Sequence, residues 1–223
     1  MLNRKKTFDN YIEDVSNRFA ISACRALISG NGYNPVFVYG ASGCGKTHLL
    51  MAIKNEFEME YPEKKEGYFT AEEIVSEFLD NIKEERSLRV SIGERCLEYD
   101  TVLFDGIEDL LGKETTQDLI FHLIDRLVGN GKQVVMACAV KPKKIRTLYK
   151  RLMKSFKKLL ICNISVPSIK LRKKYAMRTA DELELKLSRA VIKKISKKYT
   201  QLTLIRGEIL ALKLMSDSES DKM

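Results

Sequence analysis

The chain has 223 residues, 44% hydrophobic and 31% charged, which is enough for a buried core without disulfides or a structural metal and excludes a disordered or fibrous chain. No apolar stretch reaches the ~20 residues that cross a bilayer, and Met1-Leu2-Asn3-Arg4-Lys5-Lys6 lacks a following apolar signal region, so a cytoplasmic location without membrane contact is expected. The net charge of +9 is uneven: residues 1–140 carry 16 Lys/Arg against 23 Asp/Glu, whereas residues 141–206 carry 21 against 3. That asymmetry points to a nucleic-acid surface or an acidic partner for the basic part, or to a solvated helical face. Cys24, Cys44, Cys96, Cys138 and Cys162 are scattered, odd in number and never in C-x-x-C spacing, which reads as reduced thiols. His48 and His122 are far apart and suggest no metal site.

In chain order, residues 7–19 hold few regular signals until Ser16 or Asn17, placed to cap a helix through Ala20, Ile21, Ala23, Cys24, Ala26 and Leu27. Gly30-Asn31-Gly32 ends that helix, and Asn34-Pro35 turns the chain into the apolar run Val36-Phe37-Val38-Tyr39. Next come Gly40-Ala41-Ser42-Gly43-Cys44-Gly45-Lys46-Thr47, which fit the phosphate-binding pattern G-x-x-x-x-G-K-[ST] without a mismatch. His48-Leu49-Leu50-Met51-Ala52-Ile53 opens a helix running to about Tyr61, before Pro62. A loop from a strand into a helix N-terminus aims free backbone N–H groups and the positive end of the helix dipole at an anion. The glycines allow close approach to phosphate oxygens. Lys46 is expected to reach the β and γ phosphates, and Thr47 to enter the shell of a magnesium ion. The nucleotide-binding set is therefore Gly40 through His48, with ATP or ADP and Mg2+ as the expected guests.

Tyr68-Phe69-Thr70 reads as a short strand, and Thr70-Ala71-Glu72-Glu73 as a capping box opening a helix with Ile74, Val75, Phe78, Leu79 and Ile82 at helical spacing. Thr101-Val102-Leu103-Phe104-Asp105 reads as a buried strand ending in an acid. In phosphate-loop enzymes an aspartate there sits beside the loop and binds magnesium directly or through water, so Lys46 and Asp105 are the expected catalytic pair and Thr47 and Asp105 the metal ligands. A helix follows Gly112, with Leu119, Ile120, Leu123, Ile124 and Leu127 on one face, and Gln133–Cys138 reads as another strand. Residues 141–158 hold nine Lys/Arg and no acid, ahead of a strand over 159–164. Alternating strands and helices predict a parallel sheet covered on both sides. After Val166-Pro167-Ser168 only helical patterns remain, over about 168–178, 181–198 and 203–215. The expected division is an α/β nucleotide-binding domain over 1–166, a helical lid over 167–215 and a polar tail over 216–223.

A phosphate-loop α/β domain with a small helical lid resembles the AAA+ ATPases. Phe8-Asp9-Asn10-Tyr11, Ser16-Asn17-Arg18-Phe19-Ala20, Tyr33 through Gly40, Gly45 through Leu50 and Gly112-Lys113-Glu114-Thr115-Thr116-Gln117 resemble the bacterial replication initiator DnaA family across almost the whole chain. The resemblance implies a role in replication initiation or its control, with another AAA+ subunit or a replication initiator as partner and a homo-oligomer left open. It also implies a lid arginine that contacts the phosphates, for which Arg206 is the candidate.

The departures fall on turnover. Gly106 stands where the family carries a second acid, and Cys138-Ala139 where it carries a polar, acidic sensor. Ser155 stands near its intersubunit arginine, leaving Arg151 and Lys154 as subunit-contact candidates. One lost arginine finger costs on the order of 10³-fold in rate or more, so weak or absent hydrolysis is expected. Glu108 or Asp109 is a candidate to restore water activation. The chain stops where the family continues into a helix-turn-helix domain, so sequence-specific duplex binding is not expected. Two other readings stand beside this one: a nucleic-acid-binding module that uses the basic region from Lys141 onward, with 141–158 as its DNA contact, and a competent ATPase of the helicase-loader kind.

Overall fold

The computed structural model describes residues 6–83 and 92–220. Five parallel strands form one sheet in the order β2-β3-β4-β1-β5. They are β1 (Val36–Tyr39), β2 (Glu66–Thr70), β3 (Thr101–Asp105), β4 (Gln133–Cys138) and β5 (Leu160–Asn163). The helices are α1 (Arg18–Ile28), α2 (Lys46–Glu60), α3 (Ala71–Lys83), α4 (Ile92–Leu97), α5 (Glu114–Gly129), α6 (Arg146–Ser155), α7 (Ile169–Glu182), α8 (Arg189–Lys198) and α9 (Leu202–Ser220).

Because side chains alternate across a strand, each strand feeds two cores. Val36, Val38, Leu103, Val135 and Ala137 pack with α1 and α2 on one face of the sheet. Phe37, Val102, Phe104, Val134 and Met136 pack with α3 to α6 on the other. A third core joins Ala176 and Ala180 of α7, Ile192 and Ile195 of α8, and Ile205 and Ile209 of α9. Each of these six residues is at most 6% exposed, so the three helices bury their apolar stripes against one another rather than against the sheet.

Local chemistry accounts for most boundaries. The Thr70–Glu73 capping box forms: Glu73 Oε2 accepts from the Thr70 N–H at 2.7 Å, and the Glu73 N–H donates to Thr70 Oγ1 at 3.1 Å. Ser168 and Ser188 cap α7 and α8 by accepting from Leu171 and Val191. Asn17 departs from expectation. It stands at the N-cap of α1 without capping it, and instead ties down the preceding loop by accepting from the Asp14 N–H and donating to the Ile12 carbonyl, each at 2.9 Å.

The lid helices also differ from the expected spans. The first runs through Glu182, and residues 183–188 are not helical, because Leu183, Leu185 and Leu187 alternate with polar residues and rest partly buried on the lid core. The third continues through Ser220, into the stretch expected as a polar tail. Phe78, Leu79 and Ile82, expected on the face of α3, lie in that helix with their side chains outside what is described, and Met1 through Lys5 lie outside the residues described.

Candidate nucleotide-binding site

The strand register brings the expected residues to one edge of the sheet. Tyr39 pairs with Cys138 and Thr70 with Asp105, so β1, β2, β3 and β4 all end beside the loop. The Gly40 N–H donates to the Cys138 carbonyl at 3.1 Å, fixing the loop's first residue to β4. A side chain at Gly40 would run into the Ile164 carbonyl oxygen, so the residue that follows β5 presses on the same turn. Gly43 and Gly45 have φ of +72° and +104°, the left-handed region in which glycine carries no steric penalty. Cys44 is buried between them, and burial raises its thiol pKa. Ala41 and Ser42 lie exposed at the loop's outer turn.

Lys46 is 8% exposed, and its ammonium donates to the Gly40 and Ala41 carbonyls at 2.9 and 3.2 Å. The loop thus wraps its own cation, which a phosphate entering at the start of α2 would meet. Thr47 Oγ1 donates to Asp105 Oδ2 at 2.7 Å, joining residues 58 positions apart. Tyr68 donates to the same carboxylate oxygen at 2.8 Å, while Oδ1 accepts from the Gly106 N–H at 2.9 Å. A hydroxyl and a carboxylate oxygen side by side fit a magnesium ion that keeps most of its shell as water and phosphate. Among the described residues no group of three or more His, Cys, Asp and Glu could hold a metal ion by itself.

A cleft of about 290 Å³, its open mouth included, lies beside the loop and is lined from both layers of the molecule. The α/β part supplies Tyr11, Cys44, Gly45 and His48; the lid supplies Leu171, Tyr175, Arg178 and Leu202. Tyr11 donates to the Gly45 carbonyl at 3.1 Å and stands edge-on to His48, with ring centroids 4.8 Å apart. His48 Nε2 contacts two acceptors, the Thr7 carbonyl at 3.2 Å and Asn10 Oδ1 at 2.9 Å, so it carries the proton of a neutral ring. Burial, the largest cause, lowers the His48 pKa to about 4. The lid reaches the loop directly, because the Leu202 N–H donates to the Gly43 carbonyl at 3.0 Å.

Arg206 lies on α9 one turn beyond Thr203, and its guanidinium pairs with Glu182 of α7 at 3.2 Å. The lid cation that lines the cleft is Arg178, which donates to the Asn10 carbonyl and pairs with Glu182 at 3.7 Å. Sequence reasoning passed over Tyr68, Tyr175 and Arg178. A signal for two of them was present, since Leu171, Tyr175 and Arg178 fall at i, i+4 and i+7 on one helical face.

The positions tied to turnover are placed as follows. Gly106 has φ +74° and heads the short 3-10 turn Ile107–Leu110, a backbone conformation that suits glycine. Glu108 accepts from the Ala139 N–H at 2.6 Å, at the end of β4. Cys138 beside it is fully buried, and burial pushes its thiol up to about 12. Asp109 is exposed. Arg151 is turned back onto α5, 3.3 Å from Asp118 and over the ring of Phe121, whereas Lys154 and Ser155 are exposed at the end of α6.

Residues 2–163 match the family described as the bacterial DnaA ATPase domain. The chain belongs to that family. Among DnaA proteins, the chromosomal replication initiator of Borrelia hermsii is 35% identical over 201 residues, which cover 89% of this chain and 41% of the relative. The chain thus spans about two fifths of the length of the curated DnaA relatives it matches. Domain III of Thermotoga maritima DnaA superposes with a TM-score of 0.88 at 28% identity, covering 99% of this chain and 92% of that one. AMPPCP-bound DnaA from Aquifex aeolicus superposes with a TM-score of 0.82 at 28% identity, covering 100% and 72%. The five-stranded parallel sheet with its helices is therefore the AAA+ fold of DnaA domain III. No described helix is long and apolar enough to cross a membrane.

Proposed function

We propose that this DnaA-type AAA+ chain binds ATP or ADP with magnesium, turns it over slowly or not at all, and acts in replication initiation or its control by docking on another AAA+ subunit. The contact between Thr47 and Asp105 at 2.7 Å, beside the lysine enclosed by its own loop, carries the binding half of the proposal. Lys46 would meet the terminal phosphates, and Thr47 and Asp105 would hold magnesium, which screens phosphate charge when bound. The division into an α/β domain over 1–166 and a lid over 167–215 belongs to this reading, with the nucleotide between them. AMPPCP in the Aquifex aeolicus relative supports an adenine nucleotide here.

Slow turnover rests on Gly106, Cys138, Ala139 and Ser155, none of which can activate water or complete a neighbour's site. Glu108 is half-buried and already engaged by the Ala139 N–H. Lys154, exposed at the end of α6, is the better placed subunit contact, since Arg151 is occupied by Asp118. Arg206 can reach phosphate only by leaving Glu182. Calorimetry with MgATP and MgADP tests the reading, with steady-state hydrolysis measured on the same sample. Binding lost by at least tenfold in Lys46→Ala, with turnover near background in the parent chain, is the expected result. Unchanged affinity in Lys46→Ala would overturn the binding half, and turnover near 1 s⁻¹ or above, as in ordinary phosphoryl-transfer enzymes, the other.

A further inference from the structure

The second lid helix, α8, has the sequence Arg189-Ala190-Val191-Ile192-Lys193-Lys194-Ile195-Ser196-Lys197-Lys198, with five cations and no acid in ten residues. Its apolar side is fully used: Ile192 and Ile195 are buried in the lid core. Arg189, Lys193 and Lys197 recur every four residues, and Lys194 and Lys198 run beside them, all exposed. Only Lys198 has a counter-ion, Glu208 at 3.3 Å; among the described residues Arg189, Lys193, Lys194 and Lys197 make no ion pair. The basic helix α6 carries fewer cations, four against five, and its Arg151 is paired with Asp118. Lys194 lies within electrostatic reach of the same Glu208 without pairing with it, and like charges at i, i+4 destabilise a helix, so α8 keeps Arg189, Lys193 and Lys197 without an ion pair against local preference.

We propose that this face of α8 binds the phosphate backbone of duplex DNA without reading its sequence. Among the exposed positions of α8 only Ala190 is not a cation or part of its stripe, so the surface offers no aromatic or large apolar anchor of the kind a protein interface is built on. A membrane surface is likewise a poor fit, since a helix lying in lipid needs an apolar face to insert and that of α8 is buried in the lid. A uniform polyanion needs neither. It is held by cations on flexible stems, and the gain comes from released counter-ions. The inference does not depend on nucleotide binding by the phosphate loop.

The test is fluorescence anisotropy of the full chain on a 30-base-pair duplex of arbitrary sequence, over 50 to 200 mM salt. Four phosphate contacts give a slope of about −3.6 in log K against log salt, a loss on the order of 10²-fold across that range. In the triple variant Lys193→Gln, Lys194→Gln, Lys197→Gln the slope should flatten to about −1 and low-salt affinity fall tenfold or more. Lys150→Gln, Lys157→Gln, Lys158→Gln, on α6 and the turn after it, is the matched control and should retain the slope. Far-UV circular dichroism and MgATP affinity should match the parent in both. An unaltered slope in the α8 variant overturns the proposal, as does a loss confined to the α6 variant. Vesicle binding that depends on the same lysines, with no duplex binding at 50 mM salt, overturns it in favour of an anionic membrane.

Discussion

Replacing Gly43 by alanine tests whether the lid is seated on the phosphate loop. The new methyl would sit 2.7 Å from Thr203 Oγ1 and 3.0 Å from Gln201 Cβ, both tighter than ordinary contacts, at a residue whose φ is +72°. The left-handed conformation costs a non-glycine residue roughly 1–2 kcal/mol. If the lid retreats to relieve the clash, the hydrogen bond from Leu202 to the Gly43 carbonyl goes as well, about 0.5–1.5 kcal/mol more. The sum is on the order of 2–3 kcal/mol, to be measured by urea unfolding. A double-mutant cycle separates the parts: Thr203→Ala removes the nearest clashing atom, so it should recover about 1 kcal/mol in the Gly43→Ala background while costing little alone. Nucleotide affinity should follow the same order. If Gly43→Ala unfolds at the parental urea concentration, or Thr203→Ala recovers nothing, α9 does not rest on the loop.

Two other outcomes follow from the same geometry. Tyr68→Phe removes one of the two hydroxyls that hold Asp105 Oδ2, and should weaken magnesium-dependent nucleotide affinity by about three- to tenfold, leaving affinity in EDTA unchanged; an equal loss in both would point to general damage instead. His48 has its folded-state pKa lowered from 6.5 to about 4, so the unfolded chain takes up the proton first. Its contribution to stability is complete above pH 6.5, falls as the pH drops and levels off near 4, for a loss of ~1–3 kcal/mol after allowing for partial exposure. The steepening should vanish in His48→Gln when midpoints of urea unfolding are compared at pH 7 and 4.5.

The phosphate loop and the aspartate-ended strand were legible because each rests on local chemistry: glycines where φ is positive, and an apolar run closed by an acid. The parallel sheet was legible from alternation of element types, and DnaA membership from runs that keep their residue order. Strand neighbours were not. Nothing local shows that β2, second in sequence, lies at the sheet's edge and sets Tyr68 against Asp105, because register is a property of pairs of strands. The break over 183–188 was not legible, because no Gly or Pro marks it and Leu183, Leu185 and Leu187 turn onto the lid core only through tertiary packing. Arg206 stands out by its spacing to Ala211-Leu212, but that spacing does not show that it pairs with Glu182 or that Arg178 of α7 lines the cleft, which depends on how three helices pack.

The lid is joined to the loop by two routes that begin at different loop glycines. One is direct, from Gly43 to Leu202 and Thr203 at the start of α9. The other passes through the N-terminal segment: the Gly45 carbonyl holds Tyr11, His48 holds Thr7 and Asn10, and the Asn10 carbonyl holds Arg178 of α7. A phosphate settling on the loop alters both glycines' surroundings at once, and the two routes grip different lid helices. Movement of one without the other would strain the core shared by α7 and α9, so the lid would be expected to respond as a body. Under the proposed function such a response would need only occupancy of the loop, not hydrolysis.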